Sequence, residues 1–165
     1  MGLFDEANSV RDFVRDWVKS TDVQFVPGSE LPRRMDEVTL EGLVKSALIR
    51  LNPEIAADPE KADEVIYNLR AILIAARTNP HPVVANEEFM AWLTGQKSMP
   101  FGPNGEHTTV RLIDFDHLDD DSSNQWLIST EVTFKQGRVE KRFDLVLWCN
   151  GFPLVVGEAK SATRP

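Results

Sequence analysis

The run from Arg142 to Lys160 constrains the fold more than any other part of the chain. It reads Arg142-Phe143-Asp144-Leu145-Val146-Leu147-Trp148-Cys149, then Asn150-Gly151, then Phe152-Pro153-Leu154-Val155-Val156-Gly157-Glu158-Ala159-Lys160. Two apolar, β-forming segments flank Asn-Gly, a dipeptide that favours a tight hairpin turn. Inside what otherwise reads as buried strand stand two carboxylates, Asp144 and Glu158, and one ammonium, Lys160. Ionisable groups in apolar strands are costly unless paired or bound to a metal, so these three call for a reason.

Hydrolysis of a phosphodiester is a chemistry that such a trio can perform. Two carboxylates can hold a hard divalent cation such as Mg2+ while leaving positions for water and a phosphate oxygen. Lys160, two residues after Glu158, shares its strand face and can orient the water or stabilise developing negative charge. Strand parity sets a condition. A plain two-residue turn at Asn150-Gly151 makes paired residue numbers sum to 301, which sets Asp144 against Gly157 and turns Glu158 to the other side. A three-residue loop over Asn150 to Phe152, or a β-bulge, makes the sum 302 and sets Asp144 across from Glu158. One of these two irregularities is predicted.

The same run resembles the nuclease core of the R subunit of type I restriction-modification enzymes, a branch of the PD-(D/E)XK fold. Upstream, Phe25-Val26-Pro27-Gly28 with Leu31-Pro32-Arg33, the stretch Glu37-Val38-Thr39-Leu40-Glu41, Leu51-Asn52-Pro53, and Leu112-Ile113-Asp114-Phe115 leading to Asn124 extend the likeness over nearly the whole chain. The resemblance implies an α/β, restriction-endonuclease-like mixed sheet of four or five strands flanked by helices, with a helical part over 1–95 and a sheet core over 108–160. It implies Asp144 and Glu158 as metal ligands for Mg2+, with the carbonyl of Ala159 added, Lys160 as the catalytic lysine, and Glu6 as the helix glutamate that completes the site. Phe143 stands where the family often has proline before the aspartate. The expected function is metal-dependent cleavage of double-stranded DNA beside methyltransferase and specificity subunits, after ATP-driven translocation by motor domains. No motor segment is present, and Gly95-Gln96-Lys97-Ser98 lacks the glycine that a Walker A loop needs before its lysine. The chain therefore reads as an N-terminal fragment, with ATP a ligand of the longer subunit.

Charge tempers that expectation. With 18 Lys and Arg against 26 Asp and Glu, the net charge of -8 repels a polyanion at long range. The fragment alone is expected to bind DNA weakly and to cut it poorly. An acidic DNA mimic is a competing class, disfavoured because the carboxylates fall on several elements, and a non-catalytic docking module is another. One cysteine, Cys149, excludes an internal disulfide and points to a reducing cytoplasm. No apolar run reaches the length of a membrane span.

Helices are expected first and strands last. Leu3, Ala7, Val10, Val14, Trp17 and Val18 recur at helical spacing over 3–20, and Glu6 falls on the line of Val10, Phe13 and Trp17, on or beside the buried face. Helices follow over 37–51, where Glu41 and Lys45 form an i, i+4 pair, from the Asp58-Pro59 cap to before Asn79, and from Asn86 to Gly95. A turn-rich connector over 96–107 leads to strands near 108–115, 126–134, 139–149 and 152–160. The acidic stretch Asp114 to Asp121 lacks EF-hand spacing and reads as a solvated loop, His81, His107 and His117 are scattered, and the four tryptophans belong mostly to the core.

Overall fold

The computed structural model describes residues 12–14, 16–18, 20–21, 23–78, 82–118 and 123–158. In chain order its elements are β1 (Gln24–Phe25), a 3-10 turn (Gly28–Glu30), α1 (Glu41–Leu51), α2 (Pro53–Ala57), α3 (Lys61–Thr78), α4 (Val83–Leu93), β2 (Ser98–Met99), β3 (Thr108–Thr109), β4 (Trp126–Gln136), β5 (Val139–Cys149) and β6 (Phe152–Gly157). Residues 12–14 and 16–18 are helical as well. Contacts group the chain into two units, Met1–Leu40 with Gln125–Pro165, and Glu41–Asn124.

The first unit carries the mixed sheet expected from the sequence, in the order β1-β4-β5-β6. β1 runs parallel to β4, and the pairs β4–β5 and β5–β6 are antiparallel. Val14 and Val18 pack on Ile128, with Val23, Phe25, Leu145 and Leu147 around them, so the N-terminal helical residues cover one face of the sheet. Their neighbours Phe13 and Trp17 are 71% and 45% exposed. The line that placed Glu6 with Phe13 and Trp17 on the buried face therefore fails at those two residues, because the buried face is the one carrying Val14 and Val18. Glu6 itself lies outside the described residues.

β4 and β5 are paired far beyond the rest of the sheet. Their ladder continues from Val132↔Phe143 to Gln136↔Val139, whereas among the described residues the β5–β6 pairing ends at Leu145↔Gly157. This two-stranded ribbon is bent at its root, where Glu131 has φ 56 in the middle of a strand. The bend returns Phe134 to Trp148, with ring centroids 6.4 Å apart, although Phe134 pairs with Lys141 on β5, seven residues from Trp148. Phe143 meets Phe134 edge-on at 5.8 Å, and the Arg33 guanidinium lies 4.2 Å from the Phe134 centroid while donating to the carbonyls of Arg34, Glu37 and Thr133. Isolated ribbons are marginal in water, and this aromatic and cationic stack stabilises the curl.

The second unit is mainly helical. Val44, Ala47 and Leu48 of α1 and Ala62, Val65, Ile66, Leu69 and Ile72 of α3 are buried at helical spacing, and the two helices pack together. The i, i+4 partnership expected of Glu41 and Lys45 does not form. Glu41 pairs with Arg70 and Lys45 with Asp63, because antiparallel α3 offers cations and carboxylates across the interface at better reach than the same helix does. α1 begins later than expected, at Glu41, and α4 earlier, at Val83, while the short helix α2 was not foreseen. The strand expected over 108–115 shrinks to Thr108–Thr109, paired with Ser98–Met99 inside the supposed connector. Beyond it the chain satisfies its backbone through side chains: Asn52 holds Arg111 by accepting from its N–H and donating to its carbonyl, and Asn124 does the same for Asp114. Apolar residues such as Leu112 and Ile113 are buried there without any ladder.

Gly28 shows how tightly the ribbon root is fitted. A Cβ at this position would stand 2.6 Å from the Glu131 carbonyl oxygen and 2.7 Å from that of Thr130, both backbone atoms that cannot swing away. Gly28→Ala is predicted to destabilise the chain by about 2 kcal/mol or more through overpacking. Chemical denaturation monitored by tryptophan fluorescence checks this; an unchanged midpoint would contradict the close approach.

Candidate functional site

The geometry of the β5–β6 hairpin decides whether Asp144 and Glu158 can act together. Its turn is the short one: Cys149 pairs with Phe152, and Asn150 and Gly151 both take left-handed backbone, with φ 50 and 85. This is the combination a type I′ turn requires. Asn150 is fully buried, its N–H donating to Gln125 O and its Oδ1 accepting from Gln125 N, while Gly151 O accepts from Leu40 N. Trp148↔Pro153 keeps the 301 register of that turn.

The register then shifts. Leu147 pairs with Val155, Val146 with Val156 and Leu145 with Gly157, so the sum becomes 302 and Leu154 is the extra residue of a bulge. The turn alone would have turned Glu158 away; the bulge corrects it. Continued by one position, the register sets Asp144 opposite Glu158, where facing side chains have Cβ atoms about 5 Å apart. Asp144 is half-buried and Glu158 exposed at the strand end, which leaves the pair open to solvent on one side.

Asp144 also has a neighbour on its other flank. In the β4–β5 ladder Thr130 pairs with Leu145 and Val132 with Phe143, so Glu131 occupies the position opposite Asp144, where the ladder is interrupted. Its left-handed backbone is unusual for a residue with a long side chain. Arg142 Nη1 lies 3.7 Å from its carboxylate. Sequence reasoning missed Glu131, since neither its residue type nor its spacing marks it, and only the ladder reveals its place.

Among the described residues no three His, Cys, Asp or Glu side chains gather where they could hold a metal ion. Asp144 and Glu158 are the expected site residues that the structure describes. Ala159, Lys160 and Glu6, expected beside them, lie outside the described residues. By donor type the two carboxylates, Asp144 on β5 and Glu158 just after β6, fit a hard cation.

Other sequence features take structural roles. Asp114, 8% exposed, is hydrogen-bonded by His117 Nδ1 at 3.0 Å and accepts from Asp116 N at 3.1 Å. The hydrogen bond from His117 holds its carboxyl below the ordinary aspartate range, against the opposing effect of burial. It caps its own loop from a buried position, so Asp114 is not the solvent-facing carboxylate that a solvated loop would present; residues 119–122 lie outside the described residues. His107 is exposed against Ser98 Oγ. Trp92 and Trp148 are core residues, Trp126 is half-buried, and Trp17 is a surface residue against expectation. Cys149 is buried and unpaired in any disulfide. No helix among the described residues is long and apolar enough to cross a membrane.

A four-stranded mixed sheet together with several helices, and an aspartate on a central strand, is consistent with the restriction-endonuclease-like α/β class. Residues 4–164 match the family model for the type I restriction enzyme R protein N terminus, and the chain belongs to that family. No curated protein and no solved structure matches it.

Because Leu154 is the residue that shifts the register, deleting it is predicted to restore the 301 sum along β6 and to turn Glu158 to the other face of the sheet. The variant should stay folded, and whatever Mn2+ affinity the parent has through Asp144 and Glu158 should fall by about tenfold or more, read by calorimetric titration. Full retention of affinity would show that the two side chains do not depend on this register.

Proposed function

We propose that the chain is the metal-dependent nuclease region of a type I restriction enzyme R subunit, hydrolysing phosphodiester bonds of double-stranded DNA. The observation that carries this reading is the bulge at Leu154, which shifts the β5–β6 register to the 302 sum that, continued one position past Leu145↔Gly157, would set Asp144 opposite Glu158, in a chain belonging to that family. Asp144 and Glu158 bind Mg2+, with the Ala159 carbonyl and Glu6 as the completing ligands implied by the family resemblance. A divalent ion held by these residues would supply a lowered pKa for bound water and neutralisation of charge developing on the phosphoryl group. Lys160, two residues beyond Glu158, orients the attacking water and stabilises the transition state by its charge. Half-burial of Asp144 limits competing solvation of its carboxylate, while exposure of Glu158 leaves room for a duplex.

In this reading DNA specificity and delivery come from methyltransferase and specificity subunits and from an ATP-driven motor, so cleavage by the chain alone is weak. Supercoiled plasmid should be nicked slowly in Mn2+ and not at all by Lys160→Ala. The binding test is calorimetric titration with Mn2+: Asp144→Ala and Glu158→Ala are each expected to weaken affinity by about tenfold or more. Unchanged affinity in both variants would remove the site and leave a docking role for the fold.

A further inference from the structure

The nuclease reading leaves unused the β4–β5 ribbon that springs from the Asp144 position. Residues 135–142 are all exposed, and they hold Lys135, Arg138, Lys141 and Arg142 against one carboxylate, Glu140. That is four of the chain's 18 Lys and Arg residues gathered in one turn of ribbon, in a protein whose net charge is -8. Solubility and edge protection could be supplied by charge of either sign, so the concentration of cations beside a carboxylate pair calls for a separate cause.

The ladder sorts these cations by face. Facing partners share a side, so Thr133, Lys135, Glu140 and Arg142 lie on one face and Phe134, Lys141 and Phe143 on the other. Phe134 and Phe143 mark the inner face, which curls over Trp148, and Lys141 Nζ lies 5.6 Å from the Phe143 centroid. Lys135 and Arg142 are on the outer face, with Arg138 at the turn. Their ion pairs are loose and solvent-exposed: Lys135 to Glu140 at 3.8 Å and Arg142 to Glu131 at 3.7 Å. Exposed pairs of that length contribute little. A phosphate, which an arginine can grip by two hydrogen bonds, readily displaces them.

We propose that the outer face of this ribbon, through Lys135, Arg138 and Arg142, is a phosphate-binding surface that holds the DNA backbone beside the Asp144–Glu158 pair. The proposal rests on the nuclease reading for its choice of polyanion and on the ribbon's own charge and geometry for its location. Arg142 is two residues from Asp144 along β5, about 7 Å, and its pairing with Glu131 directs it toward the position opposite Asp144. The ribbon thereby offsets locally the repulsion that the acidic chain exerts at a distance.

The test is fluorescence anisotropy of the whole chain with a labelled blunt duplex of about 20 base pairs, without divalent ions, at several salt concentrations. Arg142→Gln is expected to weaken binding about three- to tenfold at low salt and to reduce the slope of log affinity against log salt by about one. The triple variant Lys135→Gln/Arg138→Gln/Arg142→Gln should lower that slope by about three. Lys141→Gln, on the inner face, should change affinity less than about twofold, and Glu140→Lys should tighten binding. The proposal is overturned if the chain shows no duplex binding at low salt, if the triple variant binds like the parent, or if Lys141→Gln costs as much as Arg142→Gln. It is also overturned if an acidic protein surface binds the ribbon and DNA does not. Because Glu140→Lys adds a cation, a gain there cannot come from misfolding. Mn2+ titration separates the two readings: the triple variant keeps metal affinity if the site is elsewhere, whereas an Asp144→Ala variant with unchanged metal affinity sinks the nuclease site and leaves the ribbon result standing.

Discussion

Side-chain parity in a β-strand is the constraint on which the rest of this structure depends. Successive residues point to opposite faces, so a functional pair on neighbouring strands exists only if the register has the right parity. Asn150-Gly151 imposes a two-residue turn because both residues tolerate left-handed backbone, and that turn alone gives the wrong parity for Asp144 and Glu158. The extra residue, Leu154, reverses it within a few residues of the turn. A bulge is usually a cost in ladder hydrogen bonds and continuity. Here it lets a stable turn coexist with a register that the turn would forbid.

The same corner of the sheet holds a second departure from regular strand. Glu131 is left-handed at the ladder position opposite Asp144, and Gly28 is packed against its carbonyl so closely that no side chain fits. A left-handed glutamate in mid-strand is unfavourable by something on the order of 1 kcal/mol and persists only when its surroundings hold it. They do so through the Gly28 backbone and through the stack of Arg33, Phe134 and Trp148 that closes the curl. Irregularity thus lies on both flanks of Asp144, in β4 and in β6, while the strand that carries it is regular on either side. Bulges and strained residues concentrate where a sheet must re-aim side chains, and this concentration is an independent reason to look at Asp144.

What the sequence disclosed followed the strength of its local signals. The apolar runs of β5 and β6 around Asn-Gly, and the helical spacing in α1 and α3, are repeated patterns, and those elements form there, departing from the pattern at their ends, as where α1 begins at Glu41. The need for an irregularity could be argued from parity before its position was known, because the requirement is arithmetic; Leu154 itself carries no distinguishing mark. Thr108 to Phe115 misled for an opposite reason. Its apolar residues alternate with polar ones in part, but they are buried in a segment held by Asn52 and Asn124 side chains, and such long-range amide contacts leave no local periodicity. Trp17 and Phe13 misled because helical spacing states which residues share a face and not which face meets the sheet; Val14 and Val18 won that competition. The polar residues that carried the family likeness, Asn52, Asp114 and Asn124, turn out to hold backbone, and a likeness can rest on scaffold as firmly as on chemistry.

Charge sets the remaining demand on this architecture. A chain with 26 acidic and 18 basic side chains cannot gather a polyanion by its long-range field. Within a Debye length of about 8 Å at physiological salt, however, the net charge matters less than the groups actually facing the ligand. An acidic body with a small cationic outcrop would therefore reject DNA arriving at random and accept it where the backbone is already presented to the outcrop. In the proposed nuclease reading that arrangement has a physical rationale: affinity supplied by other domains, rather than by this one, would keep the Asp144–Glu158 pair from acting on every duplex it meets. A strongly basic chain with the same Asp144–Glu158 pair would have no such restraint, since non-specific binding comes almost entirely from counterion release.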